Sequence, residues 1–342
     1  MHIPDGYLGP QTYLPLYGIM APVWGYASLR VRRSLKRGQV PMLALGAAFS
    51  FVIMMFNVPI PGGTTGHAVG SVLVAILLGP WAAVLAVSTA LAVQALLFAD
   101  GGITALAANC FNMAFVMPFA GWWVYRILKG TGTGPKRRIA AAALAGYAGL
   151  NAAALSAGLM LGMQPLLAAD PSGRPLYCPF GLGIAVPAMA IEHLALFGIV
   201  EALVTGLVLA YLLKADPSLV RTEVASKDGT AHPWRRLAWG MAVLVALTPL
   251  GLYLPAKFGA GSAWGEWSAE EIRTMTGYIP AGLAKLSEMW RAPLPEYGPK
   301  VEPGSFASSS AWYIVSALLG VCAICLVMAG MRWWIAKRGA DG

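Results

Sequence analysis

Apolar residues in this chain come in long, nearly unbroken runs, parted by short segments rich in Gly, Pro and charge. Neither the strict alternation of a half-buried strand nor the single apolar stripe of a soluble helix describes them. A helix crossing a hydrocarbon layer of about 30 Å needs roughly 20 apolar residues. By that measure the sequence predicts nine spans, near 11–29, 41–57, 66–79, 80–99, 103–127, 138–163, 182–213, 236–254 and 311–334. The third is short, and Gly79-Pro80 parts it from the fourth. That pair reads as a helical hairpin or a partly re-entrant element, which a membrane tolerates only where protein or a cavity covers the backbone.

Composition agrees with this class. Of 342 residues, 58% are hydrophobic and 11% charged, against about 25% charged in a soluble domain. Forty glycines and many alanines suit helices whose backbones approach closely. The net charge of +9 is no nucleic-acid footprint, because most Lys and Arg cluster near 30–37, 126–138, 214–236 and 332–338, beside apolar runs. Nine spans place all four clusters on one face, which the positive-inside rule assigns to the cytoplasm. The expected fold is therefore all-α and integral to a membrane, with about nine transmembrane helices, the N-terminus outside and the C-terminus cytoplasmic. Residues 1–215 form a seven-span body, 216–235 a cytoplasmic linker, and 236–342 a two-span part with a long outer loop at 255–310. That loop, with Trp264-Gly265-Glu266-Trp267, Glu270, Glu271 and several prolines, suggests a partly ordered lid. Of the four cysteines, Cys110, Cys322 and Cys325 lie in apolar runs and read as small buried hydrophobes.

The chemistry gathers in two stretches: Met1-His2-Ile3-Pro4-Asp5-Gly6, and the segment from Asn57 through Pro61-Gly62-Gly63-Thr64-Thr65-Gly66 to His67. The first residues lack the charged region and small-residue cleavage site of a signal peptide, so the amine of Met1 is expected to persist. That amine, the amide nitrogen of His2 after losing its proton, and the His2 imidazole can close fused chelate rings on one metal ion. They tend towards one plane because the peptide is planar. One more nitrogen completes a square, and His67, expected in the first turn of the third span, is the candidate. Square-planar nitrogen sites favour Ni(II) or Cu(II) over tetrahedral zinc. The simpler alternative for His67 is a histidine that caps its loop.

Asp5, Asp100 (in Asp100-Gly101-Gly102), Asn109 and Asn112 stand where buried carboxylates and amides can orient ligand imidazoles. Loop capping and interhelical hydrogen bonding account for them equally well. His193, in Ile191-Glu192-His193, shares a helix face with Glu201. It reads as a third ligand, an orienting group, or more simply as part of an internal polar pair. His232 receives no role. No phosphate-binding loop, zinc-protease motif or nucleophile elbow appears. The chain is not expected to hydrolyse ATP or to be an enzyme, which leaves binding and translocation.

Met1-His2-Ile3-Pro4-Asp5-Gly6 followed by the P-G-G-T-T-G-H loop resembles the CbiM/NikM family, the substrate-capturing membrane components of energy-coupling-factor transporters for cobalt and nickel. The likeness runs over roughly residues 1–215 and includes Phe98 to Gly102 and Asn109 to Met113. Residues from about 236 to 334, with Thr248-Pro249-Leu250-Gly251-Leu252, resemble the two-span accessory subunit CbiN/NikN fused on behind. The resemblance implies a seven-helix bundle with an inserted N-terminus, and ligands at the Met1 amine, the His2 amide and imidazole, and the His67 imidazole. It implies Ni2+ (or Co2+) as transported substrate, a transmembrane coupling subunit and cytoplasmic ABC-type ATPases as partners, and a multi-pass place in the bacterial inner membrane. Nucleic acid is not among the expected partners. The competing reading is a self-sufficient secondary divalent-metal transporter, for which Glu192, His193 and Glu201 are the concentrated mid-membrane candidates.

Overall fold

Proline and glycine set where the helices start and stop. Pro10, Pro80, Pro135 and Pro233 each open a helix, where the missing N–H costs no hydrogen bond and φ is already helical. In the computed structural model, which describes residues 1–34, 40–132, 134–215, 233–299 and 304–338, the helices are α1 (Pro10–Ser34), α2 (Val40–Met54), α3 (Ser71–Leu78), α4 (Pro80–Val93), α5 (Leu106–Asn109), α6 (Met117–Lys129), α7 (Pro135–Gly162), α8 (Gln164–Leu167), α9 (Leu182–Glu192), α10 (Gly198–Ala215), α11 (Pro233–Leu247), α12 (Leu250–Phe258), α13 (Ala269–Thr276), α14 (Ala281–Ser287) and α15 (Phe306–Arg338). Turns of π-helix at Gln94–Phe98, Cys110–Val116 and His193–Phe197 extend α4, join α5 to α6, and join α9 to α10. Such turns widen the helix locally and concentrate at functional sites.

Five helical runs among the described residues are long and apolar enough to cross a bilayer: Pro80–Phe98, Pro135–Leu167, Leu182–Ala215, Leu237–Phe258 and Phe306–Met331. The protein is a helical membrane protein. Four of the nine predicted spans, 11–29, 41–57, 66–79 and 103–127, are not among them; the third falls short because α3 has only eight residues. At 1.5 Å per residue it covers about 12 Å, less than half a bilayer core. Residues 58–66 are spent instead on a hairpin, β1 (Val58–Pro59) against β2 (Thr65–Gly66), with Val58 opposite Gly66. Gly70 then takes φ 72°, a left-handed step that bars the helix from starting earlier. His67 consequently sits in irregular chain before the helix, not in its first turn. Val72 of α3 packs where Gly121 of α6 and Gly149 of α7 carry no side chain; a Cβ at either would stand 2.5 or 2.6 Å from Val72. This short helix is thus wedged inside the bundle.

The segment after α12 is packed chain rather than a loose lid. Gly261 N–H donates to the Gly63 carbonyl at 2.7 Å, Gly282 N–H to Leu176 at 2.8 Å, and Leu294 N–H to Leu97 at 3.0 Å. Helix α13 opens on a capping box between Ser268 and Glu271. Cys110 and Cys178 are buried, whereas Cys322 and Cys325 are exposed on α15. The expectation of buried small hydrophobes fails for that pair because an apolar span turns its outer surface to lipid. Residues 216–232 of the predicted linker, with His232, lie outside the described residues.

Candidate metal centre

The N-terminal strand is held at every second residue. Asn109 clamps Ile3 from both sides, accepting from its N–H at 2.8 Å and donating to its carbonyl at 3.1 Å. Asp5 caps the loop after Gly102, accepting from Ile103 N–H at 3.0 Å and Thr104 N–H at 2.7 Å. The Tyr7 hydroxyl donates to the Trp267 carbonyl, and Gly9 N–H to Gln164 Oε1. These bonds leave Met1, His2 and Ile3 at 7%, 3% and 2% exposure. The Met1 amine reaches Glu266 Oε1 at 3.1 Å. Room for the strand depends on Gly102, where a Cβ would stand 2.3 Å from the Asp5 nitrogen. Gly102→Ala is expected to cost about 1–3 kcal/mol of strand docking. The check is faster labelling of the Met1 amine by an amine-reactive reagent.

His2 and His67 meet. His67 Nε2 lies 3.2 Å from His2 Nδ1, with ring centroids 4.9 Å apart. Their other nitrogens fix the protons. Gln94 Nε2 donates to Asp100 Oδ2 and to the Tyr297 hydroxyl, each at 3.0 Å. Its Oε1 is therefore the acceptor facing His2 Nε2 at 3.3 Å, which assigns the proton there. His67 Nδ1 faces the Ala68 carbonyl at 3.1 Å and takes its proton in the same way. A doubly protonated His2 is opposed by burial and by the neighbouring amine's charge, which push its pKa down to about 4. Two nitrogen lone pairs are left facing each other, with Asp100 Oδ1 3.1 Å from the His2 nitrogen. With the protons so assigned, that convergence can accept a cation. Donors at adjacent corners of a square, each about 2.0 Å from a metal, stand about 2.8 Å apart, close to the distance found.

Several groups that sequence reasoning did not single out complete the surroundings. Gln94 was detectable as a polar residue inside an apolar run. Tyr297, whose hydroxyl donates to Asp100, and Glu266 come from the outer segment, where no spacing pointed to the site. Ala99, at φ 56°, turns the chain after the π-helical end of α4 so that Asp100 faces His2. Of the predicted orienting residues, Asp100 touches an imidazole, and Asp5 and Asn109 hold the strand. Asn112 reaches Met160 Sδ at 3.6 Å rather than either imidazole. His193 turns Nδ1 to the Met189 carbonyl at 2.8 Å and lies edge-on to Phe197. Among the described residues no group of three or more His, Cys, Asp or Glu side chains could hold a metal. The structure brings together the two imidazoles of His2 and His67.

Residues 2–219 match the family model described as CbiM, cobalt uptake substrate-specific transmembrane region. The chain belongs to this family. It is a nickel/cobalt transport protein of the CbiM/NikM type. It is 46% identical to the fused nickel transport protein NikMN of Rhodobacter capsulatus, over 97% of this chain and 96% of that one. The probable fused nickel transport protein LarMN of Lactiplantibacillus plantarum is 42% identical, over 97% of this chain and 98% of its own. A crystal structure of a truncated transition metal transporter superposes with a TM-score of 0.59 at 52% identity, covering 63% of this chain and 99% of that one. Fused relatives that match from end to end make the appended helices part of the family's repertoire.

Proposed function

We propose that this CbiM/NikM protein is the substrate-capture component of an ATP-driven nickel (or cobalt) uptake transporter. The metal is held by the Met1 amine, the deprotonated His2 amide, His2 Nδ1 and His67 Nε2. The observation that carries the reading is the pair of lone-pair nitrogens 3.2 Å apart beside a carboxylate. Nickel fits better than cobalt, since a planar four-nitrogen set suits it and the full-length relatives bear nickel in their names. Asp100 and Glu266 balance the charge that remains once the amide has lost its proton.

The transport cycle needs a transmembrane coupling subunit and cytoplasmic ABC-type ATPases, because this sequence carries no nucleotide-binding motif. The protein spans the bacterial inner membrane several times, nine by the sequence count, with the metal centre outside and the C-terminus cytoplasmic. Arg32 and Arg33 close α1, Arg126 and Lys129 close α6, and Lys214 closes α10, while the loops holding the centre lie at the other ends of these helices. Residues 1–215 are the capture domain, 216–235 the linker, and 236–342 the accessory part that brings Glu266 and Tyr297. The test is uptake by proteoliposomes. Transport that requires added coupling and ATPase subunits supports this reading. Transport by the chain alone, driven by a proton gradient, supports a secondary transporter. Glu201, a prime coupling candidate for that rival, is already committed to the main chain at Val69 and Gly70.

Affinity is expected to rise with pH. Binding displaces protons from the Met1 ammonium and the His2 amide, whereas the His2 imidazole, with its pKa near 4, is neutral above pH 5 and gives up none. Calorimetry in buffers of different ionisation enthalpy should find about two protons released per nickel ion; none released removes both nitrogens from the donor set.

A further inference from the structure

One buried carboxylate has no part in the donor set. Glu201, on α10, is 0% exposed. Its Oε2 accepts from Val69 N–H at 2.7 Å, both its oxygens accept from Gly70 N–H at 3.2 and 3.1 Å, and the Thr205 hydroxyl donates to it at 3.2 Å. The two amides lie at the head of α3, where Gly70 offers no side-chain cap and a helix start leaves N–H groups unmet. A distant carboxylate fills that role, favoured by the positive end of the helix dipole.

The geometry goes further than capping. Val69 N–H and the Ala68 carbonyl belong to one planar peptide unit. That carbonyl faces His67 Nδ1 at 3.1 Å. We infer that Glu201 is a positioning residue for metal binding: through the 68–69 peptide it fixes the tautomer and orientation of His67, so that Nε2 points bare at His2. The chain runs from carboxylate to N–H, across the peptide to C=O, and on to the imidazole N–H. Each bond polarises the next. Imidazole ligands are commonly oriented by a carboxylate or a carbonyl beyond them; here both act in series.

The relay is anchored in the helix seam. A Cβ at Gly146 of α7 would stand 2.8 Å from the Thr205 hydroxyl, so the bare glycine admits α10 and sets the height of Glu201. Helix α10 runs on to its basic end at Lys214. Tilting α10 therefore pulls on the peptide that aims His67, a route by which events at that end can loosen the metal.

This inference rests on His67 being a metal donor, and its test separates the two claims. Histidine tautomers are read by nitrogen-15 NMR on the metal-free, detergent-solubilised full chain, and nickel affinity by titration with nickel alone. Wild type should show His67 protonated on Nδ1. In E201L, which removes every acceptor, His67 should become a tautomer mixture and nickel affinity should fall at least about tenfold. E201Q keeps one acceptor oxygen and should lie between. If E201L does not fold, E201Q decides alone. Unchanged tautomer and affinity in the folded variants overturn the relay. A shifted tautomer with unchanged affinity also overturns the positioning role and removes His67 from the donor set.

Discussion

A protein carrying a single extra residue ahead of Met1 will lose tight nickel binding, by more than about a thousandfold. The extension turns the amine into an amide and removes a corner of the square, worth roughly 3 kcal/mol if four bonds share a site of 10–16 kcal/mol. It also pushes chain into a place where Met1 is 7% exposed and its nitrogen is paired with Glu266 at 3.1 Å. Glu266 is 24% exposed, and losing its charged hydrogen bond costs roughly a further 1–2 kcal/mol. The same residue added after Gly342 should change nothing. Isothermal titration of the two extended proteins reads the difference directly. Wild-type affinity in the N-terminally extended protein would take the amine out of the centre.

His67→Ala should weaken nickel by about 3 kcal/mol, on the order of a hundredfold. The loss is smaller because the three remaining nitrogens all belong to Met1 and His2 and stay fused through one peptide. Water takes the vacant corner, so the visible absorption band of planar nickel should move to lower energy along with the affinity. Fold stability without metal should drop little. His67 makes one bond to its neighbour's carbonyl, and the hairpin that precedes it is held by its own pairing and by Gly261 N–H on the Gly63 carbonyl. A titration curve and band matching wild type would leave His67 as a loop cap.

The long apolar runs made the helical membrane class readable, because hydrocarbon thickness imposes one length on every spanning helix. They misled at 66–79, where a run of the right polarity is divided between a hairpin, a left-handed glycine and the eight residues of α3. Nothing local announces that division; it follows from what packs around Val72. At the candidate centre, Met1 and His2 were legible as proposed donors because chelation is a property of adjacent residues, and His67 because its glycine-bent loop was expected to bring it to the same place, where it meets His2. Asp5, Asp100 and Asn109 were legible as polar residues near the right loops, though two of them hold the strand and not the imidazoles. Asn112 and His193 share those surroundings yet bond to Met160 and Met189. Glu266 and Tyr297 were beyond reach, because their roles depend on how the segment after α12 folds back over residues 1–100. The Glu201 relay was hidden too, since its decisive link is a peptide group that carries no side chain.

The pairing of Met1 with Glu266, 265 positions later, has a consequence for biosynthesis. At ~5–20 residues per second, the chelating end leaves the ribosome tens of seconds before its carboxylate partner is made. Three of the four proposed nitrogens are present in the first two residues, so a nascent chain already carries most of the proposed metal site before Glu266 exists. Copper outranks nickel for such a nitrogen set, so the first two residues of the proposed site would not by themselves tell the two ions apart.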